Sequence, residues 1–521
     1  MKLLKRVFVG FLAIAMILGS LALVACSEDQ GGEQGTGGGD VVNPGQNGAT
    51  QAPMTGDELI YLPQNQKYKN YEFKMYARQQ DMYGIGHFCY QEGAEDVINQ
   101  ALREREFIIQ DKMGAILTLD TSMNDTTIYT NLASNHKGQK HFGDALFIPG
   151  TSSMEASMAG YLWNLNILEE LNLEASYYDQ RIQQDFRIAD MLFQITGDYE
   201  VQDELVTFGV LYNDFIYNGL GYYDEYGSPY QMVSNYLWTY DMMLELAQPF
   251  TADLGGENPQ DNQWGIVSEA QAVYYFYMGS GLKPMVSENG ELNIKLNDAT
   301  EYELTTTALS KLLNFTANEN VLIAADIVVG SSDRWEIASD IFEQNRALFR
   351  TTALSDALFC SDMEKDFGIL PIPMYDAAQK QYYSMVNAEF AFALCIPYYV
   401  KDIHKTANII EAISYYSRYG GDETLYEAFF VRLSDAKICR KTEDRQMLTL
   451  IFNNKVYDID AAVKNGIGLR AKVMAIAAKK NGAGTIASDI NSALKSVNIA
   501  LPKTIDVIIA KNENQSTRYG E

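Results

Sequence analysis

The side chains that most often perform catalysis are few in this sequence and are not spaced as catalytic motifs require. Of the four histidines, only His136 and His141 lie close together, and glycine and lysine residues between them favour a solvated loop over a metal site. The segment Gly279-Ser280-Gly281 lacks the spacing of the nucleophile elbow of hydrolases. No glycine-rich phosphate-binding loop occurs. We therefore expect no metal, no cofactor and no nucleophilic catalysis.

Carboxylates and aromatic rings are abundant, with 68 Asp and Glu, 34 Tyr and 23 Phe. Two carboxylates that are distant in sequence can meet in space as the acid pair of a glycoside hydrolase, so that alternative stays open. Aromatic rings suit the C–H faces of sugar rings, and polar side chains bond the hydroxyls. Rings cluster near predicted strand ends, at Tyr222-Tyr223, Tyr274 to Tyr277 and Tyr382-Tyr383. These clusters indicate either a sugar site or ordinary core packing.

Cys26 carries a more specific chemical signal. Three basic residues precede the apolar run from Val7 to Leu23, which is the order of an export signal. The following Leu23-Val24-Ala25-Cys26 resembles the lipobox of bacterial lipoproteins, which implies lipidation of Cys26 with palmitate-type acyl chains. We predict a signal peptide at 1–25 and attachment to the extracytoplasmic face of the cell membrane through the lipid. An ordinary secretory signal and an uncleaved anchor are the alternatives.

Composition bounds the rest of the chain. Residues 26–57 are predicted to be the lipidated cysteine and a flexible tether, rich in Gly, Gln, Asn and Pro, with a typical span of about 30 Å. The remainder is too long for one ordinary core and predicts two lobes. The formal charge of −28 becomes −31 without Lys2, Lys5 and Arg6 of the signal, which disfavours nucleic acid as a partner.

Four further cysteines are scattered without a metal-site pattern, and the sequence leaves open whether they form disulfides or buried thiols. They are Cys89, Cys360, Cys395 and Cys439. Cys360 and Cys395 lie in apolar runs, so we favour small core side chains at these two positions.

The elements that must position any site follow from hydrophobic periodicity. The first part alternates strands with helices: strand Tyr71 to Ala77, helix Glu92 to Met113, strand Ala115 to Leu119, helix Thr126 to Asn135 and strand Asp144 to Gly150. This order predicts parallel pairing in an α/β lobe. The later part contains predicted strands at Met191 to Thr196, Leu205 to Tyr212, Trp264 to Val267, Ala347 to Arg350, Gly368 to Ile372 and Phe390 to Ile396. Predicted helices run from Thr239 to Ala247 and from Thr305 to Phe315, and helices dominate after Thr406.

Short motifs between Trp163 and Ile266 carry a family likeness. They are Tyr177-Tyr178-Asp179-Gln180, Gly197-Asp198-Tyr199, Val210 to Asp214, Leu237 to Asp241 and Asp261 to Ile266. Their order and spacing resemble the extracellular solute-binding proteins of ABC importers, family 1, the group that includes maltose-binding protein. The runs Phe367 to Pro373 and Ala388 to Pro397 look like the second crossing between the lobes of that family.

The resemblance implies a two-lobed, type II periplasmic-binding-protein-like α/β fold, with crossing strands and a ligand cleft between the lobes. By this analogy, residues 58–204 and 369–420 form the N-terminal lobe, and residues 205–368 and 421–521 form the C-terminal lobe. Open α/β sheets bind ligands beyond the carboxyl ends of their strands, which points to the same loops.

The site residues that we predict from these loops are polar side chains at or beyond strand ends. They are Arg78, Gln79, Thr151, Ser152, Glu269, Tyr274, Arg350, Thr352, Asn387 and Glu389. Thr351-Thr352-Ala353 stands where sugar-binding members of the family place a tryptophan, so the sequence departs from a maltose-like stacking site.

The resemblance implies a substrate-binding lipoprotein that captures a carbohydrate and delivers it to ABC permease subunits in the membrane. We favour an oligosaccharide over a single sugar ring as the carbohydrate. No catalysis is expected. A surface-anchored glycoside hydrolase or esterase is the alternative suggested by the acids and aromatics, and an interaction module without a small ligand is a third hypothesis suggested by the tether.

Overall fold

The structure is a computed structural model. It describes residues 62–78, 88–93, 96–317, 322–324, 334–421, 423–433, 438–463, 465–479 and 482–520. No helix in these ranges is both long enough and apolar enough to cross a bilayer. Cys26 and Gln79 lie outside the described residues.

Thirteen strands are described, and most belong to one of two larger sheets. In chain order they are β1 (Tyr71–Arg78), β2 (Ala115–Met123), β3 (Ala145–Pro149), β4 (Phe208–Asn213), β5 (Trp264–Ser268), β6 (Met285–Glu288), β7 (Glu291–Ile294), β8 (Leu322–Ala324), β9 (Ala347–Ala353), β10 (Phe367–Leu370), β11 (Ser384–Met385), β12 (Phe392–Cys395) and β13 (Lys455–Val456).

The α-helices of the described ranges begin with α1 (Val97–Met113), α2 (Asp125–Lys137), α3 (Gly150–Met158), α4 (Gln180–Asp185), α5 (Gln202–Leu205), α6 (Asp214–Gly219), α7 (Tyr222–Glu225), α8 (Pro229–Ser234), α9 (Tyr240–Ala247) and α10 (Ala272–Gly279). They continue with α11 (Ala299–Thr316), α12 (Arg334–Glu343), α13 (Ser355–Phe359), α14 (Ile403–Tyr419), α15 (Leu425–Leu433), α16 (Thr442–Asn453), α17 (Ile459–Ala462), α18 (Leu469–Ala477), α19 (Ile486–Asn512) and α20 (Gln515–Tyr519).

The first sheet has the order β12-β3-β1-β2, in which β1 pairs parallel with both β2 and β3. The parallel pairing predicted from the strand and helix alternation is therefore confirmed. Helix α1 starts at Val97, later than the predicted Glu92, because the side chain of Asp96 accepts from the backbone of Asn99 and caps the helix there. At its other end Gly114 has a φ of 77°, and a Cβ there would lie 2.6 Å from the Cα of Lys69.

The second sheet has five strands in the order β10-β4-β9-β5-β8. β4 is antiparallel to both of its neighbours, whereas β5 is parallel to β8 and β9. This sheet, with the helices around it, confirms a second α/β lobe. β10 is bonded to β4 as far as Leu370, so the lobe boundary predicted at residue 369 falls inside a strand of the second sheet.

The strand predicted at Met191 to Thr196 is wrong. The segment is extended, but only Ile195 pairs with the first sheet, through hydrogen bonds in both directions with Leu394 of β12. The backbone N–H of Leu192 donates instead to the Asn164 side chain, and its carbonyl accepts from the backbone of Leu165. These groups of Leu192 are therefore not paired with a neighbouring strand. The strand predicted to start at Leu205 begins at Phe208, because Gln202–Leu205 forms a helical turn.

The chain crosses between the sheets on two neighbouring segments. Thr207 forms an antiparallel bridge with Val386, and the backbone N–H of Asn387 donates to the carbonyl of Val206 at 3.1 Å. The C-terminal part makes a further link, since Gln515 of α20 accepts from the backbone of Asn164 and donates to the carbonyl of Leu162 in the first lobe.

Buried apolar side chains pack across the junction between the lobes. One cluster lies within the first lobe and includes Phe73 and Phe147, whereas another joins Leu146 of the first sheet to Phe208 and Val210 of the second. The lobes are therefore in direct apolar contact in this arrangement. All four described cysteines are buried free thiols, which confirms core positions for Cys360 and Cys395.

Candidate functional site

The predicted site residues of the first lobe meet at the carboxyl ends of β1 and β3. Arg78, the last residue of β1, forms an ion pair with Asp125 at 3.0 Å. Its guanidinium lies 5.0 Å from the centre of the Phe390 ring and also donates to the backbone carbonyl of Glu389 at 3.4 Å. Because it contacts groups from two separate segments, Arg78 is a fixed cation at the edge of the lobe, with its side chain 20% exposed.

Thr151 and Ser152 lie in the first turn of α3, directly after β3, and both are partly exposed. No side chain caps the start of this helix. Nearby, Gln194 is 1% exposed, and neither atom of its amide has a hydrogen-bond partner among the described residues. Its Nε2 lies 3.7 Å from the position of a Cβ on Gly150. An unpaired buried amide is costly, so this end of α3 is a place where polar ligand groups would gain hydrogen bonds.

The predicted residues of the second sheet are buried, and the two charged ones, Glu269 and Arg350, are paired with each other. Arg350 lies 2.7 Å from Glu269 and 3.0 Å from Asp356, and the side chains of Arg350 and Glu269 have no exposed surface. Burial alone would lower the pKa of Arg350, but the charges of Glu269 and then Asp356 outweigh it and raise that pKa. Thr352 is 1% exposed on the same strand. In this arrangement the group stabilises the second lobe from within.

Tyr274 is fully buried in α10, and its hydroxyl donates to Asp458 at 2.8 Å. Next to it, Asp460 accepts from the backbone of Ile467 and Leu469. Burial, followed by the charge of Asp458, raises the pKa of Asp460 to about 7. The ring of Tyr274 therefore belongs to the core in this arrangement and has no surface to offer a solute.

Asn387 and Glu389 occupy the connection that enters β12. Asn387 is 4% exposed, and its side-chain oxygen accepts from the backbone N–H of Glu389 at 3.2 Å. The carboxylate of Glu389 is half exposed and lies 3.1 Å from Arg470 of α18. Arg470 also donates to Gln271 at 3.2 Å, so this ion pair joins a first-lobe segment to two elements packed with the second lobe.

We call this group the strand-end site and define it by Arg78, Thr151, Gln194, Glu389 and Arg470. The sequence predicts three of these positions and misses Gln194 and Arg470. Gln194 lies inside a predicted strand, and Arg470 lies in a helical region far along the chain from every predicted strand end. No local pattern distinguishes either residue, because only the folded chain brings them to the junction.

His136 and His141 contact an aromatic ring and a carboxylate, respectively. The ring of His136 packs 4.7 Å from that of Tyr161, and Nε2 of His141 lies 3.9 Å from Asp144. Burial lowers the pKa of both histidines. Within the described ranges, no cluster of three or more His, Cys, Asp or Glu side chains is arranged to hold a metal.

The chain is similar to known proteins in structure but matches none of those compared in sequence. No protein-family model matches the chain, and no curated protein matches it in sequence. A cyclo/maltodextrin-binding protein complexed with maltotetraose superposes with a TM-score of 0.55 at 13% identity, over 81% of this chain and 96% of that one.

Two proteins from Listeria monocytogenes also superpose on the chain. Its maltose-binding periplasmic protein MalE, in complex with maltose, gives a TM-score of 0.53 at 13% identity, over 83% of this chain and 98% of that one. An ABC substrate-binding protein in complex with cycloalternan gives 0.51 at 14% identity, over 83% of this chain and 99% of that one. The predicted two-lobed, periplasmic-binding-protein-like α/β fold is confirmed, and the chain has the fold of maltose-binding-protein-like solute-binding proteins.

Proposed function

We propose that this chain is the substrate-binding lipoprotein of an ABC importer, and that it captures an extracellular carbohydrate between its two lobes. The observation that carries the proposal is the strand-end site, where charged and amide side chains from both sides of the junction meet on a fold shared with sugar-binding proteins. The donors and acceptors of such side chains suit the hydroxyls of a sugar. We infer no chemistry on the solute.

The mechanism that we propose is closure of the two lobes over the solute. A solute that contacts both lobes favours the arrangement in which they touch, in proportion to its difference in affinity for the two states. Arg78 and Glu389 would act from the first lobe, and Arg470 from the side of the second. Separation of the lobes would have to expose the buried predicted residues before they could bind the solute. These residues are Tyr274, Arg350, Glu269 and Thr352.

Thermal unfolding in the presence of sugars tests the proposal. The chain from Ser27 to Glu521, screened against mono- and oligosaccharides that include maltose, maltotetraose and cycloalternan, is expected to melt at a higher temperature with at least one of them. A ligand that binds only the folded state stabilises it by about 2.7 kcal/mol at a hundredfold excess over its Kd. A shift with peptides and with no sugar would contradict carbohydrate as the solute class.

The same samples separate binding from catalysis. Chromatography of each stabilising sugar after prolonged incubation is expected to recover it unchanged. Turnover that is lost when one carboxylate is replaced would favour the glycoside hydrolase or esterase instead. A chain that binds no small molecule in any screen would favour the interaction module.

Lipid attachment and delivery to a permease are separate parts of the proposal. The segment Leu23-Val24-Ala25-Cys26 supports an acylated anchor. Replacing Cys26→Ala is expected to abolish metabolic labelling with palmitate and to release the chain from the membrane fraction. Retention of an unlabelled chain in the membrane would indicate an uncleaved anchor. Delivery is tested by uptake of the radiolabelled sugar, which is expected to fall when the gene is removed.

A further inference from the structure

A polar cavity of about 460 Å³ lies apart from the strand-end site and is lined by segments of both lobes. Helix α4 forms one wall, and the hairpin β6–β7, the start of α11 and strand β13 form the others. Small-molecule sites usually have volumes of about 300–1,000 Å³. The backbone N–H of Asp190 also donates to the carbonyl of Gly290 at the hairpin turn, so the hairpin is held against the first lobe.

The lysines around this cavity are paired with carboxylates inside the protein. Lys283 bonds both oxygens of Asp185, at 2.7 and 2.8 Å. Lys455 lies 2.8 Å from Asp179 and 2.5 Å from Asp203, and its side chain is only 6% exposed. Because these lysines are already neutralised by carboxylates, the cavity has little excess positive charge with which to hold an anion. A neutral solute fits its electrostatics better.

An aromatic ring forms part of the wall. The ring of Tyr383 lies against the backbone at Gly281, where a Cβ would be only 2.6 Å from its Cε2. Gly281 has a φ of 80°, so this position favours glycine on two grounds, its backbone conformation and the space that the ring needs. The partly exposed ring is thereby held in place beside polar groups, and an aromatic face suits the C–H surface of a sugar ring.

The remaining polar groups supply donors and acceptors; Arg181 adds one positive charge to the lining and Glu301 one negative charge. Gln184 is exposed at the cavity, Ser287 lies on β6, and Arg181 of α4 donates to the backbone carbonyl of Asn453. An amide, a hydroxyl and a guanidinium can together bond several hydroxyls of one ring.

We propose that this cavity, lined by Arg181, Gln184, Gly281, Ser287, Tyr383 and Lys455, is a second binding site for a neutral sugar ring. The inference rests on the proposed carbohydrate-binding function and adds a site outside the strand ends. Since both lobes form its walls, an occupied cavity favours the arrangement in which the lobes touch. A larger cavity, of about 760 Å³, is lined only by β1 and β2 in one lobe and offers no such coupling.

The test compares cavity variants with a strand-end variant by isothermal titration of the chain from Ser27 to Glu521. The probes are maltose, maltotetraose, any further sugar from the thermal screen, and inorganic phosphate. Gln184→Ala is the main variant because its side chain is exposed and its loss leaves the packing intact. Tyr383→Ala is the second, and Glu389→Gln and the exposed Lys503→Gln, which is outside the lining of the cavity, are the controls.

If a sugar binds in the cavity, Gln184→Ala is expected to weaken its affinity about three- to tenfold, the usual effect of losing one hydrogen bond. Tyr383→Ala is expected to weaken it at least as much, while its melting temperature without sugar reports whether it folds. Lys503→Gln is expected to change nothing.

Three results would overturn the inference, and they differ in whether the proposed carbohydrate-binding function is also lost. A sugar affinity that changes in Glu389→Gln but in neither cavity variant leaves the proposed function standing and places the sugar at the strand ends alone. Binding of phosphate that is lost in Gln184→Ala would show an anion site. A chain that binds no sugar of the screen would remove the second site and the carbohydrate function together.

Discussion

The buried cation of the second lobe gives a sharp prediction. Replacing Arg350→Met keeps a long, flexible side chain but removes the charge between Glu269 and Asp356. Both carboxylates would then be left in the interior without their cation. We expect the variant to be less stable than the unmodified chain, because the interior solvates a carboxylate poorly.

The expected magnitude follows from the geometry of the group. Arg350 and Glu269 have no exposed side-chain surface, so no solvent screens their 2.7 Å contact. Removing one partner of such a pair typically costs about 3–5 kcal/mol. In a chain of this length each kcal/mol moves the melting temperature by roughly 1 °C, so the expected fall is about 3–5 °C.

Urea unfolding at neutral pH and a thermal melt measure this cost. Arg346→Met is the matched control, because Arg346 immediately precedes the same strand, is partly buried and bonds only to uncharged groups, such as the backbone carbonyl of Gln260. Adding Glu269→Gln and Asp356→Asn to Arg350→Met should recover much of the loss, since no uncompensated charge then remains. Equal losses for Arg350→Met and Arg346→Met would refute the reasoning.

Three further predictions concern other parts of the chain. A double-mutant cycle of Glu389→Gln and Arg470→Gln is expected to give a coupling below about 1 kcal/mol in urea unfolding, because the carboxylate is half exposed; a coupling above about 2 kcal/mol would contradict this. The pKa of Asp460 is raised to about 7 by burial and a neighbouring carboxylate, so its contribution to stability is full below about pH 4 and is lost as the pH rises through 7. Asp460→Asn should therefore flatten the fall in unfolding free energy between about pH 4 and 7, and an unchanged slope would show that the group does not titrate there. Gly114→Ala should cost about 1–3 kcal/mol in urea unfolding, because its φ of 77° and the close backbone exclude a Cβ, while Gly219→Ala, with nothing near its Cβ, should be neutral or slightly stabilising; equal effects would contradict this.

The sequence predicted the elements whose signal is local. β1 and β3 follow from short apolar runs, and α9 follows from Thr239, whose side chain caps the helix by accepting from Met242. The 191–196 segment has a similar apolar composition but is not a strand, because a strand forms only where another strand pairs with it along its length. That partner, β12, comes from almost two hundred residues later, and only Ile195 reaches it.

The candidate site could be predicted only where it adjoins a strand. Arg78 ends β1, Thr151 follows β3 and Glu389 precedes β12, and the structure brings them to the junction. Tyr274 shows the limit of this rule, because an aromatic residue shortly after a strand looks the same in sequence whether it faces a cleft or the core. Arg470 and Gln194 show the opposite limit, since long-range packing alone brings them to the strand ends.

The proposed mechanism requires two lobes that close around a sugar, and a distance measured across the junction tests this most directly. Spin labels on Lys137→Cys in the first lobe and Glu303→Cys in the second occupy exposed positions, while the four described cysteines are buried and protected from labelling. With a sugar that raises the melting temperature, the distance distribution from pulsed electron resonance is expected to become shorter and narrower. An unchanged distribution while the sugar is bound would contradict closure of the lobes.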